Sequence, residues 1–170
     1  MVVWLTGKSG AGKSTLGRAL VRELQQESIS ATLIDGDCDV PQSDIPAGNH
    51  RCASAFVAVH LAVKAFYALQ KFKVVVCAAC SSFVKQREVV RDALSYPSFM
   101  EVHVDCDAAE LKQRDPHGHY THQMSEGRRQ ELDFYENSDA VEMRVNTTKE
   151  DEAQTVTRVM QHIRKVLKGS

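Results

Sequence analysis

The segment Gly7-Lys8-Ser9-Gly10-Ala11-Gly12-Lys13-Ser14 follows the apolar run Val2-Val3-Trp4-Leu5-Thr6 and leads into a helical pattern. It fits GxxxxGK(S/T) between a strand and a helix, an arrangement that builds a phosphate cradle. Glycines let the backbone turn tightly and aim consecutive N–H groups at an anion, while the following helix adds its positive N-terminal end. Lys13 then reaches the β- and γ-phosphates of a purine nucleoside triphosphate, and the Ser14 hydroxyl completes a Mg²⁺ site.

Apolar spacing extends this start into a repeating pattern. Leu16, Ala19, Leu20 and Leu24 recur at helical intervals, and Ala31-Thr32-Leu33-Ile34 forms a short buried strand running into Asp35-Gly36-Asp37. Residues 38–48 read as a loop. A helix follows with Cys52, Ala55, Phe56, Val59, Val63 and Phe66 on one face, expected to be the packed one. Val74 to Ala78 is continuously apolar, as suits a parallel strand covered on both sides. Val84 to Leu94 reads as a helix with Val89, Val90 and Ala93 inward, and Phe99 to Val104 as a strand. Asp107 is placed to cap a short helix carrying Leu111. From Arg114 to about residue 130 the chain turns polar without a clear period and reads as a lid. Ala140 to Val145 gives a last strand, and a final helix runs from about Thr148 with Val156, Val159, Met160, Ile163 and Leu167 inward.

Such alternation predicts an α/β fold of three layers, the P-loop NTPase architecture, with a parallel sheet of about five strands flanked by helices. Ligands then gather at the carboxyl ends of the strands, where the phosphate loop, Asp35 to Asp37 and Ser81 to Phe83 all fall. The 170 residues, 43% hydrophobic and 25% charged, suit one domain over 1–170. Lys and Arg number 21 against 22 Asp and Glu, so no global field favours nucleic acid or an anionic membrane, and a small-molecule partner is expected. With no basic leader and no apolar run of about 18 residues, a cytoplasmic location is expected. Five scattered cysteines read as reduced thiols, and Cys77-Ala78-Ala79-Cys80 as strand cysteines rather than a redox pair.

Phosphoryl transfer asks the protein for positioning and charge neutralisation more than for covalent chemistry. Lys13, Asp35 and Asp37 are the catalytic candidates, with Asp35 able to hold Mg²⁺ through water and Asp37 facing the acceptor hydroxyl. Asp105, ending Glu101-Val102-His103-Val104-Asp105, matches a Walker B pattern and equally a helix cap. Arg87, Arg91, Arg114, Arg128 and Arg129 are candidates to meet phosphate or a purine face. His117, His119 and His122 lack a carboxylate or thiol partner that would make them a metal site.

Taken in order, Trp4-Leu5-Thr6-Gly7 with the phosphate loop, Leu33-Ile34-Asp35-Gly36-Asp37, Asn49-His50-Arg51, Ser81-Ser82-Phe83, Glu101 to Asp105, Gln113 to Tyr120 and Tyr135-Glu136 resemble the adenylylsulfate kinases. Those enzymes transfer the γ-phosphate of ATP to the 3′-hydroxyl of adenosine 5′-phosphosulfate with Mg²⁺ and are commonly homodimers. The resemblance implies ATP and Mg²⁺ contacts at Gly10, Gly12, Lys13, Ser14 and Thr15, within a loop that also includes Gly7, Ser9 and Ala11. It places Arg114 on the adenine, and Asn49, Arg51, Ser81 and Phe83 with Asp37 on the nucleotide acceptor. The departures lie on the acceptor side. The family's Asp-Gly-Asp-Asn-(Val or Ile)-Arg is Asp35-Gly36-Asp37-Cys38-Asp39-Val40 here, and its Asp-Arg-x-Glu-Asn-(Ile or Val)-Arg-Arg is Ile45 to Cys52. Arginines that give bidentate contacts to sulfate or phosphate are thereby lost. Two other readings therefore stand beside an adenylylsulfate kinase: a kinase of cytidine diphosphoramidate, and a non-catalytic nucleotide-binding regulator.

Overall fold

The structure is a computed structural model, and it describes residues 1–46, 50–95, 98–114 and 134–169. Five strands run parallel: β1 (Val2–Thr6), β2 (Ala31–Asp35), β3 (Val74–Ala78), β4 (Phe99–Asp105) and β5 (Met143–Asn146). Their order in the sheet is β2-β3-β1-β4-β5. The first strand thus lies in the middle, with Trp4 opposite Cys77 on one side and Glu101 on the other. Helices α1 (Lys13–Gln26), α3 (His50–Ala68), α4 (Val84–Ala93) and α6 (Glu152–Gly169) cover the faces, and the short α2 (Gly36–Asp39) and α5 (Ala108–Arg114) follow β2 and β4. The expected three-layer architecture and strand count are both present.

Alternation along β1 divides the core. Val3 and Leu5 join Leu16, Leu20, Leu24, Val159 and Ile163 beneath α1 and α6. Val2 and Trp4 join Ala58, Leu61, Ala65, Cys77 and Val90 beneath α3 and α4. All five cysteines are free thiols, and burial pushes the Cys77 thiol pKa upward.

Several sequence expectations need correction here. Of the residues expected inward on α3, Phe56 packs against the core, but Cys52 is exposed and Val59, Val63 and Phe66 are each more than half exposed, and the buried residues are Ala58, Leu61 and Ala65. This helix is apolar on nearly every side, so spacing alone could not choose a face. Small alanines let it lie close to the sheet. By length and composition α3 also passes the test for a membrane span, contrary to the sequence reading. On α4, Val89 and Ala93 are exposed while Arg87, Val90 and Leu94 are buried. Residues 38–48 are only partly loop, because Cys38 and Asp39 complete α2 and a 3₁₀ turn spans Gln42–Asp44.

Arg87 explains why α4 turns a charged residue inward. It is 2% exposed, its Nε lies 2.8 Å from Glu101 Oε1, and its two other nitrogens donate to Ser81 O at 2.7 Å and Glu136 O at 2.6 Å. Arg91 donates to Glu101 and Glu142 and is partly exposed. Both arginines, considered above for phosphate or a purine face, are held by carboxylates instead. Removing one partner of a buried pair leaves an uncompensated charge, which costs about 3–5 kcal/mol, whereas exposed pairs are worth about 1 kcal/mol or less. Arg87→Met is therefore expected to lower unfolding free energy by roughly 3–5 kcal/mol in urea titrations, well beyond Arg91→Met.

Candidate nucleotide-binding site

The loop leaving β1 threads between two neighbouring strand exits. Gly7 N donates to Cys80 O at 3.3 Å, and a Cβ at Gly7, whose φ is +145°, would fall 2.1 Å from Val104 O. Gly10 and Gly12 also adopt positive φ, 78° and 98°, which bends the chain over the start of α1. Gly12 is the N-cap residue of α1 and offers no side chain there, so the first amides of the helix face the loop.

A cavity of about 600 Å³ opens in front of this loop. It is lined by Gly10, Gly12, Lys13, Ser14 and Thr15 from the loop and α1, by Asp35 and Asp37 from the end of β2, and by Arg114. Residues distant in sequence thus meet at the carboxyl ends of β1, β2 and β5, with Arg114 reaching in from the end of α5. Gly7 and Ala11 are buried within the loop rather than on the cavity wall, and Ser9 sits beside them, half-buried. Lys13, 7% exposed, donates to Lys8 O at 2.7 Å and touches Cys80 Sγ at 3.5 Å, so its ammonium is folded into the concavity of the loop.

Asp35 is buried and caps α2, its Oδ1 accepting from Asp37 N at 3.2 Å. The Asp-Gly-Asp segment is therefore the first turn of a helix. Arg114 arches over the loop, donating to Thr147 Oγ1 at 3.0 Å and Thr147 O at 3.1 Å, and Thr147 Oγ1 in turn donates to Ala11 O at 2.9 Å. Thr147, together with Arg18, Glu150, Asp151, Glu152 and Thr155, lines the cavity and was missed in the sequence. The rule placing ligands at carboxyl ends could have found Thr147, which directly follows β5. Asp105 Oδ1 accepts from Cys106 N at 2.9 Å, and Asp105 is not on the cavity wall.

The acceptor-side candidates form a separate group. The Arg51 guanidinium lies 4.6 Å from the centre of the Phe83 ring, which also meets His50 edge-on at 5.7 Å and Phe134 at 5.1 Å. Gln86 donates to Arg51 O at 3.0 Å and joins α4 to the start of α3. Ser81 belongs to the core: it is 3% exposed and its Oγ accepts from Trp4 Nε1 at 3.1 Å. Asn49, the histidines at 117, 119 and 122, Arg128, Arg129 and the lid beyond Arg114 lie outside the described residues.

Tyr135 and Glu136 fasten the chain at the other end of that stretch. Tyr135 stacks on His103 at 4.5 Å, and its hydroxyl lies 3.2 Å from Thr6 Oγ1. Glu136 Oε2 accepts from Val84 N at 2.7 Å, capping α4.

Residues 1–146 match the family model described as adenylylsulphate kinase. The chain belongs to the adenylylsulfate kinase family. The adenylyl-sulfate kinase of Bacillus licheniformis is 32% identical over 142 residues, 82% of this chain and 68% of that protein. That of Aeromonas salmonicida is 36% identical over 126 residues, 71% of this chain and 61% of that protein. The Mycobacterium tuberculosis APS kinase CysC, solved in complex with AMPPNP and APS, shares the fold with a TM-score of 0.80 over 96% of each chain at 21% identity.

Burial pulls the pKa of His103 down from 6.5 to about 4, opposed by Asp105 and assisted by Arg144 and Arg87. Arg144 NH1 lies 2.8 Å from His103 Nδ1, an arrangement that requires the ring nitrogen to accept and the imidazole to be neutral. The unfolded chain protonates this histidine near pH 6.5, so unfolding takes up about one proton below that value. The stabilisation is whole above pH 6.5 and drains away as pH falls towards about 4. The melting temperature of the wild type is expected to fall more steeply between pH 7 and 4.5 than that of His103→Gln, followed by circular dichroism.

Proposed function

We propose that the protein transfers the γ-phosphate of ATP to the ribose 3′-hydroxyl of a nucleotide, with adenosine 5′-phosphosulfate the nominal acceptor. The observation that carries this reading is the meeting of Lys13, Ser14, Asp35, Asp37 and Arg114 on one cavity in front of an amide-lined loop. Loop amides hold the polyphosphate, and Lys13 leaves Lys8 O to neutralise charge that grows on the β- and γ-phosphate oxygens. Arg114, steadied by Thr147 and Glu110, packs on the adenine. Asp37 aligns the acceptor hydroxyl and takes its proton.

Ser14 and Asp35 supply the hard oxygen donors that suit Mg²⁺, and both line the cavity. Bound there, the ion would offset the negative charge of the phosphates. Phe83 and Arg51 offer a flat cationic surface on which the acceptor base stacks.

Cytidine diphosphoramidate is the second acceptor to test. Where the family pattern carries an arginine, Val40 is 2% exposed and packs in the core, and Cys52 stands at another such position. Losing these guanidinium groups removes bidentate contacts to a sulfate or phosphate, so the acceptor's anionic end would be held differently from the family pattern. The proposal includes a homodimer, for which the exposed apolar face of α3 is the support.

The deciding experiment measures ADP release from ATP and Mg²⁺ against adenosine 5′-phosphosulfate, cytidine diphosphoramidate and plain nucleotides, with product identification. Lys13→Ala is expected to reduce kcat more than about a hundredfold. Stabilisation by ATP without ADP release from any acceptor would favour a nucleotide-binding regulator instead.

A further inference from the structure

The four-residue helix α2 carries Asp37 yet is too short to hold itself, since forming a first turn costs more than its one or two internal bonds return. Its support comes from Asp39. The Asp39 carboxylate reaches back so that Oδ2 accepts from Asp35 N at 2.7 Å, while Asp35 Oδ1 accepts from Asp37 N at 3.2 Å. These reciprocal caps close the turn on itself. Lys64, four turns along α3, then donates to Asp39 O at 2.7 Å and to Asp39 Oδ1 at 3.3 Å. Beneath the turn, a Cβ at Gly36 would lie 3.2 Å from Val57 Cγ1 and 3.3 Å from Ala78 O, so the backbone is pressed against α3 and β3.

We propose that the Asp39–Lys64 clamp is a positioning device for the Asp37 carboxylate, acting on phosphate transfer rather than on ATP binding. The proposal rests on the phosphotransfer reading above. The clamp belongs to this chain's own sequence, because the family pattern has Val or Ile at the position of Asp39. As a half-exposed ion pair it adds little to global stability. Its effect is local: Lys64 gives α2 a fixed point on a long helix, and an error of about 1 Å in a reacting group can cost up to a hundredfold in rate.

Lys64→Met removes the clamp and substitutes no residue of the cavity wall. With ATP, Mg²⁺ and adenosine 5′-phosphosulfate, or cytidine diphosphoramidate if that is the acceptor turned over, kcat is expected to fall about tenfold. The KM for ATP and the ATP-induced rise in melting temperature are expected to stay within twofold and about 1 °C of wild type. Lys64→Arg restores most of the rate, and Asp39→Asn, which can still accept from Asp35 N, falls between. Amide exchange of residues 36–40 accelerates in Lys64→Met while that of residues 8–14 does not. If Lys64 acts through Asp37, then Asp37→Asn combined with Lys64→Met is no slower than Asp37→Asn alone. An unimpaired Asp37→Asn would overturn both the transfer role and the clamp. An impaired Asp37→Asn beside an unchanged Lys64→Met, or losses that multiply in the double variant, would overturn the clamp alone. Should Lys64→Met fold poorly, Asp39→Asn with its exchange pattern carries the same test.

Discussion

Gly7 is the point on which the site depends. β1 lies between β3 and β4, so the chain leaving it must pass between the exits of both neighbours, with a hydrogen bond to Cys80 O on one side and Val104 O on the other. Only a residue without a side chain fits that gap. The phosphate loop is therefore an extension of the sheet, and its amides inherit the stiffness of three strands. Lys13, Thr147 and Arg114 then close around it through contacts with Lys8 O, Ala11 O and one another.

The loop end of the cavity was legible in the sequence because its shape is set by the backbone. Glycine spacing, a preceding apolar strand and a following helix force a phosphate cradle, and parallel strands force Asp35 and Asp37 towards the same edge. The acceptor half was less legible because its parts serve two purposes. Ser81 reads as a ligand position and holds Trp4 Nε1; Arg87 reads as a phosphate ligand and neutralises Glu101. Neither partner can be inferred without knowing that β1, β4 and α4 pack together. Helix α3 failed for a different reason. With apolar residues on nearly all sides, its period marked the bulky exposed face, and the alanines that touch the sheet carried no contrast.

The two halves also differ in what holds them. Around the loop, side chains bond to backbone carbonyls: Lys13 to Lys8 O and Thr147 to Ala11 O, with Gly7 N tied to Cys80 O. The region from β2 to α3 relies on side chains: Asp35, Asp39 and Lys64 fix α2, and Val40 anchors the exit from it. This division matches the sequence, in which the loop keeps the family pattern while residues 38–52 depart from it.

Arg87 has a bearing on the order in which the molecule assembles. Its guanidinium donates to Ser81 O six residues away and to Glu136 O, 49 residues downstream, and pairs with Glu101 on β4, with the Tyr135 ring 4.8 Å away. The short-range partner is available as soon as α4 forms, but the charge cannot be taken out of water until β4 has joined the sheet. Docking of residues 135 and 136 must wait longer still, since it needs Thr6, His103 and α4 already in place. Closure of this corner therefore draws on contacts from β1, β4 and α4 at once, so a change in any one of them loosens all.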